Sequence, residues 1–151
     1  MERVDRAAVL AFLGRLGVAH PGLAPRLPSE AEWEFACRAG SAAPWPATAP
    51  LADQAWFAAN SRNRTQPVRG RYPSPLGLYG LHGNVAEWCA DDYAPYPTAA
   101  ADDPIGRGGG LGVARGGSWG DPSERLRAAN RIPLDPATAS SYLGFRIAAP
   151  V

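Results

Sequence analysis

The sequence predicts a single loop-rich α+β domain with two helices and a few short antiparallel strands. Three observations carry that expectation. The chain has 151 residues, the size of one ordinary domain. Such a chain can bury about 68–70% of its unfolded surface without a disulfide or metal staple. Its 17 Gly and 16 Pro interrupt regular structure too often for long elements. Only two segments carry a full set of helix signals.

The first of these is residues 5–17. Asp5 can cap it, Val9, Phe12, Leu13 and Leu16 share one face, and Gly17 offers a stop. A proline-punctuated link from Pro21 to Pro28 follows. Ser29-Glu30-Ala31-Glu32 then reads as a capping box, with Ser29 and Glu32 exchanging hydrogen bonds. Glu30, Glu32 and Glu34 suit the positive end of that helix. Trp33, Ala36 and Cys37 form its inward face, and Gly40 ends it. Residues 52–59 suit a short helical turn. Residues 60–76 are polar and carry Arg62, Arg64, Arg69 and Arg71; they read as a solvated surface, with anion binding as the sharper alternative. A compact segment runs from Gly77 to Trp88. Residues 94–112 form a long loop, whose glycines at 106–112 lack phosphate-loop spacing. Strands are expected at Val113–Gly116 and Gly144–Ala148. Trp33, Trp88 and Trp119 are expected in the core, with Trp45 and Trp56 covering loops.

Composition excludes several chemistries. All 15 basic residues are Arg, so a lysine Schiff base, a P-loop lysine and a Ser–Lys dyad are impossible. A net charge of +1 gives no overall footprint for nucleic acid or an anionic membrane. No apolar run is long enough to span a bilayer, and no signal-peptide pattern opens the sequence. Cys37 and Cys89 are far apart, without a disulfide framework, so the expected location is the cytoplasm.

Four ordered segments carry a resemblance. They are Arg26-Leu27-Pro28-Ser29-Glu30-Ala31-Glu32-Trp33-Glu34, Gly77-Leu78-Tyr79-Gly80-Leu81-His82-Gly83-Asn84-Val85-Ala86-Glu87-Trp88, Arg115-Gly116-Gly117-Ser118-Trp119 and Leu143-Gly144-Phe145-Arg146. Together they resemble the formylglycine-generating enzyme (sulfatase-modifying factor) family, which includes the C-terminal domains of ergothioneine-type sulfoxide synthases. They are also similar to the variable proteins of diversity-generating retroelements. The resemblance covers nearly the whole chain and implies a C-type-lectin-like fold. It also implies strands ahead of the first helix, which this sequence lacks; the expectation is either a minimal lectin-like core or a homodimer or partner chain that covers the missing region.

The resemblance implies less about catalysis. Active members bind copper(I) through two cysteines shortly after the Arg-Gly-Gly-Ser-aromatic motif, as suits a soft metal. Here that stretch reads Gly120-Asp121-Pro122-Ser123-Glu124-Arg125-Leu126-Arg127, without cysteine. Asp121 stands near the first thiol position, and Ser118 matches the serine near the substrate. Cys37 and Cys89 read as small buried hydrophobes. The sulfoxide-synthase iron needs more histidines than His20 and His82 supply. A Ser118–His82–Asp91 triad can be written but has no supporting spacing. A structural calcium would take the Gly83 and Val85 carbonyls and the Glu87 carboxylate. Gly80 removes one side-chain oxygen, so a weak or empty site is expected, with Glu87 paired to an arginine or capping amides. A second calcium site would begin at Asn60 but has no matching Asp downstream.

The expected function is therefore a non-catalytic ligand- or protein-binding module, with a retroelement-diversified binding protein as one form the resemblance implies. No cofactor is required, and calcium is its only candidate ion. A protein or small ligand would meet the surface after Ser118 and before Leu143. The contributing residues are Trp119, Asp121, Glu124, Arg125, Arg127, Asn130, Arg131 and Tyr142. Arg127 and Arg131 have a structural role as the equal alternative. The competing reading is a metal-dependent oxidoreductase completed by a partner chain or by altered metal ligands.

Overall fold

A computed structural model describes residues 2–46, 49–96, 98–108 and 110–150. Met1 and Gly109, the latter within the glycine-rich loop, lie outside the described residues. The elements are α1 (Arg6–Ala19), α2 (Glu30–Arg38), α3 (Leu51–Gln54), β1 (Ala86–Asp92), β2 (Gly112–Arg115), a 3-10 turn (Ser123–Leu126), β3 (Arg131–Leu134) and β4 (Leu143–Phe145). The strands form one sheet in the order β3-β2-β1-β4. This is the expected α+β lectin-type architecture, with a third, four-residue helix and one parallel pair. β4 runs parallel to β1, whereas β1–β2 and β2–β3 are antiparallel.

Both faces of the sheet are covered, and strand alternation decides which residue meets which helix. Ala86 and Trp88 of β1, Ala114 of β2 and Leu143 of β4 join Val9 and Leu13 of α1 in one core. Cys89 of β1 and Val113 of β2 point the other way, and join Trp33 and Cys37 of α2 in a second core with Leu81 and Ala128. Phe12 packs on the first core edge-to-face with Phe145 at 5.6 Å.

Helix α1 begins as its cap demands, with Asp5 Oδ1 accepting from Ala8 N at 2.7 Å. It does not stop at Gly17. It continues to Ala19, and His20 closes it by donating to the Leu16 carbonyl. A single glycine lowers helix propensity without ending a helix whose apolar face is packed. The capping box of α2 forms on both sides: Ser29 Oγ accepts from Glu32 N and Glu32 Oε2 accepts from Ser29 N. Ala39 (φ 46°) takes the left-handed position one residue before Gly40.

The strands depart from the sequence reading in three places. β1 is the longest strand, and along it Ala86, Trp88 and Ala90 alternate with Glu87, Cys89 and Asp91. It carries Glu87 and Asp91 on its α2 face, where partners satisfy them. β3 contains Pro133, which is tolerated because β3 is an edge. β4 ends at Phe145, and Ala148 instead pairs with Arg26 through two backbone hydrogen bonds. Just past that end Arg146 pairs with Glu87 of β1.

At Gly83 and Gly116 a positive φ coincides with a close approach to buried backbone. Gly83 (φ 79°) would put a Cβ 2.1 Å from the Trp56 carbonyl oxygen. Gly116 (φ 93°) would put one 2.9 Å from the Leu81 carbonyl oxygen and 3.0 Å from the Trp33 ring. Both allow the chain to turn sharply against a buried backbone.

An ion network ties α2 to the sheet. Arg115, at the end of β2, is fully buried. It donates to Glu30 Oε1 at 2.8 Å, to Glu34, and to the Ala128 carbonyl at 2.6 Å. Glu30 also takes a two-pronged bond from Arg131 at 2.6 and 2.7 Å. Glu34 is shared with Arg38 at 2.7 Å. Burial works against the Arg115 charge, but Glu34 and Glu30 outweigh it and raise its pKa.

Removing one partner from a buried network strands the others. Arg115→Met should therefore destabilise the fold by about 3–5 kcal/mol, read by denaturant unfolding. At the exposed end of α2, the hydrogen bond from Arg26 comes first in holding the Glu32 carboxyl down to about 2, from an ordinary 4.5. A depressed carboxyl stabilises above its unfolded pKa and loses that contribution as pH falls through the folded one. The stability gap between wild type and Glu32→Gln should thus be constant above pH 4.5 and close progressively toward pH 2 in acid titrations followed by circular dichroism.

Candidate functional site

The segment after β2 is shaped by two glycines at positive φ, Gly116 and Gly117, which turn the chain off the sheet. Asp121 then folds it back. Its Oδ2 accepts from Ser118 N at 2.8 Å and from Ser118 Oγ at 2.6 Å, while Asp121 N donates to the Ser118 carbonyl. Trp119 stacks on Tyr142 at 4.4 Å and 20°, and its Nε1 donates to the Ser141 carbonyl at 3.0 Å. The stack fixes the loop after Ser118 to the loop before β4. Gly120 lies so close that a Cβ there would meet the Tyr142 ring at 2.5 Å.

These loops enclose a surface cleft of 430 Å³. Its apolar floor is Ala86, Ile132, Leu134 and Leu143, and its polar wall includes Ser118, Asp121, Arg125, Asn130, Thr138 and Ser140, with Tyr142 at the side. Asn130 Nδ2 is buried and has no acceptor among the described residues.

Of the eight expected contributors, Asp121, Arg125, Asn130 and Tyr142 line this cleft, and Trp119 backs Tyr142. Three do not line it. Glu124 and Arg127 are exposed on the 3-10 turn and beyond it, where Arg127 Nε donates to the Glu124 carbonyl. Arg131 points through the sheet's other face to Glu30 and is flanked by the Tyr93 and Tyr96 rings at 4.5 and 4.2 Å. Strand alternation explains the split: Asn130 and Ile132 face the cleft, so Arg131 cannot. Sequence reasoning missed Thr138, Ser140, Ile132 and Leu134. The HPHP pattern around Pro133 was the available signal.

The calcium-type ligands do not fit a cation. Glu87 takes Arg146 at 2.6 and 2.8 Å and Trp33 Nε1 at 2.7 Å. Both its oxygens are engaged by a guanidinium, so a metal between the Gly83 and Val85 carbonyls and this carboxylate would face a fixed positive charge. For Arg146 burial opposes the charge, and the nearby Glu87 more than compensates, so its pKa rises. Asn60 organises a turn, accepting from Phe57 N and donating to the Ala52 and Ala55 carbonyls. Among the described residues, no group of three His, Cys, Asp or Glu side chains could hold a metal.

The written triad does not assemble. His82 Nδ1 lies 2.7 Å from the Leu126 carbonyl, and its Nε2 lies 3.6 Å from Cys37 Sγ. Ser118 is bonded to Asp121, and Asp91 accepts from Glu30 N and Gly106 N. Cys37 and Cys89 are free, buried and part of one core. Burial pushes the Cys37 thiol up to about 12 and the Cys89 thiol well above its ordinary value. Neither is a thiolate ready for a soft metal. Among the described residues, no helix is long and apolar enough to cross a membrane.

Comparisons with known proteins extend this geometry. Residues 7–151 match the family described as the sulfatase-modifying factor enzyme 1-like domain. Serine/threonine-protein kinase Pkn1 of Chlamydia trachomatis serovar L2 is 39% identical over 131 residues, which cover 82% of this chain and 21% of that protein. The formylglycine-generating enzyme of Streptomyces coelicolor is 35% identical, over 82% of this chain and 46% of the enzyme. The inactive C-alpha-formylglycine-generating enzyme 2 of Mus musculus is 34% identical, over 95% of this chain and 46% of its own. The chain therefore spans between a fifth and a half of these relatives. Among solved structures, Treponema denticola variable protein 1 superposes with a TM-score of 0.90 at 29% identity, covering 99% of this chain and 70% of that one.

The burial of the thiols has a direct readout. At pH 8 the thiolate fraction of Cys37 should be about a thousandfold below that of an ordinary thiol. Iodoacetamide should leave both cysteines unmodified in the native protein and alkylate both in guanidinium, as measured by intact mass.

Proposed function

The chain belongs to the sulfatase-modifying factor enzyme 1-like family, and on that footing we propose that it is a non-catalytic binding module on a lectin-type fold. One observation carries the reading. Asp121 occupies the neighbourhood where active relatives are expected to place a copper thiolate, and its carboxylate is spent on Ser118 N and Oγ. The loop is thereby folded by a hydrogen-bonded turn where the chemistry would require a soft ligand. The inactive mouse relative is consistent with a family member that keeps the fold without the reaction.

The ligand site of this module is the cleft beneath the Trp119–Tyr142 stack. An apolar floor with a few convergent polar groups is the usual composition of a ligand site. Arg125 offers a charged donor, Asn130 an unpaired amide donor, and Tyr142 a rigid aromatic wall. Such a set would hold a carbonyl- or carboxylate-bearing group of a protein or small ligand, with its apolar part on Ile132 and Leu134.

Two measurements test this. Purified protein given copper(I), oxygen and a cysteine-containing peptide should leave the peptide mass unchanged. Peptides selected from a random library on the immobilised protein should lose about tenfold or more in affinity with Arg125→Ala and Tyr142→Ala, the scale of an interface anchor, and keep it with Glu124→Ala. Conversion of the cysteine peptide, or ligands indifferent to the cleft variants, would refute the reading.

A further inference from the structure

A second surface of the molecule is charged in a way its composition conceals. Between Ala55 and Ala86 there are four arginines, Arg62, Arg64, Arg69 and Arg71, and no Asp or Glu. The rest of the chain holds 11 arginines against all 14 acidic residues, so a positive segment sits on a net negative body. Arg6, Arg26, Arg38, Arg115, Arg131 and Arg146 each have a carboxylate partner, whereas none of the four does among the described residues.

Arg62, Arg64 and Arg69 are exposed, as a solvated surface requires, whereas Arg71 is half-buried, and two of the four lie against aromatic rings. The Arg71 guanidinium lies 3.7 Å from the Trp56 ring centroid, and that of Arg69 lies 5.9 Å from the Tyr79 ring centroid. An aromatic face orients a planar cation without neutralising it. Both arginines line one cleft of 450 Å³ with Asp53, Tyr72 and Tyr79. Trp56 Nε1 and Arg71 Nε are buried donors with no acceptor among the described residues. Buried donors are nearly always paired, so the stack adds uncompensated positive potential beneath the cleft. Val68, Tyr72 and Leu76 are exposed between and beside the arginines. Arginine and tyrosine interleaved with apolar groups are what the energetic centres of protein interfaces use.

We infer that residues 62–79 form a docking surface for an acidic segment of a partner polypeptide, whose carboxylates pair with Arg69 and Arg71 while its apolar side chains rest on Val68 and Tyr72. Charge complementarity selects this occupant. The arginine fork suits a carboxylate in two-pronged geometry. The exposed Val68, Tyr72 and Leu76 beside the arginines offer apolar contacts that a polyphosphate would leave unused. This surface shares no lining residue with the cleft under Trp119, so each stands or falls alone.

The probe is a short fluorescein-labelled peptide of glutamates interspersed with phenylalanines, read by anisotropy at low salt. It should bind, weaken about tenfold on Arg69→Glu, and weaken steeply as NaCl rises to roughly 0.5 M, where screening reaches contact range. Arg69 is exposed, so this variant should keep the wild-type circular dichroism and melting temperature. Arg71→Lys, which keeps the charge and loses the planar stack, should cost severalfold. The inference is overturned if the acidic peptide does not bind, or if a glutamine analogue binds equally well. It also fails if Arg69→Glu changes nothing, or if a single-stranded oligonucleotide binds more tightly and displaces the peptide. A dimer in sedimentation that Arg69→Glu dissolves would overturn it too, by making the occupant a second copy.

Discussion

The guanidinium of Arg115 is the point at which helix α2, the sheet and the segment leading into β3 are joined. It is fully buried, and its charge is tolerable only because Glu30 and Glu34 lie on the same face of α2, one turn apart, and meet it together. Glu30 in turn needs Arg131, and Glu34 is steadied by Arg38. The chain of alternating charges is continuous from the surface of α2 through the centre of the molecule to the edge strand. No hydrophobic contact could set the register of α2 on the sheet so narrowly, because an apolar surface tolerates sliding and a two-pronged ion pair does not.

A second pair, Glu87 with Arg146, performs the same task one strand over. Strand alternation puts Glu87 on the α2 face beside Cys89, where Trp33 Nε1 completes its hydrogen bonds. The two networks together explain why a sheet covered on both faces carries so many charges in its interior. They also engage groups that two chemistries would use. A carboxylate committed to Arg146 is unavailable to a cation, and thiols packed in the same apolar core stay protonated. What remains open to solvent is one cleft organised by the Trp119–Tyr142 stack, and one basic surface organised by Trp56 and Tyr79.

Much of this was legible locally. The capping boundary of α2, the Asp5 cap, the buried Val9 and Leu13, the core positions of Trp33 and Trp88, and the β2 strand all follow from short-range patterns. The family motifs marked the fold, and four cleft residues were found by their place after Ser118. The elements that escaped share one cause. β1 holds Glu87 and Asp91, and β3 holds Pro133, so each violates the composition of a strand. Their extended conformation is imposed by neighbours: β1 is central and receives hydrogen bonds on both sides, and β3 is an edge where a missing amide is harmless.

The same distinction governs the side chains. The sequence by itself determined the residue inventory: no lysine, no thiol after Ser118, and two cysteines distant in the chain. Those facts limit the chemistry whatever the fold. Only the tertiary structure decided which way each residue points. It turned Arg131 away from Asn130 and into Glu30, and gave Glu87 to Arg146. It also set Arg71 on Trp56 with no carboxylate partner among the described residues. The partners in these pairs lie between 15 and 101 positions apart, and a one-dimensional pattern carries no information about contacts of that range. Burial then makes them binding, because a charge removed from water must find its partner or cost the fold its stability.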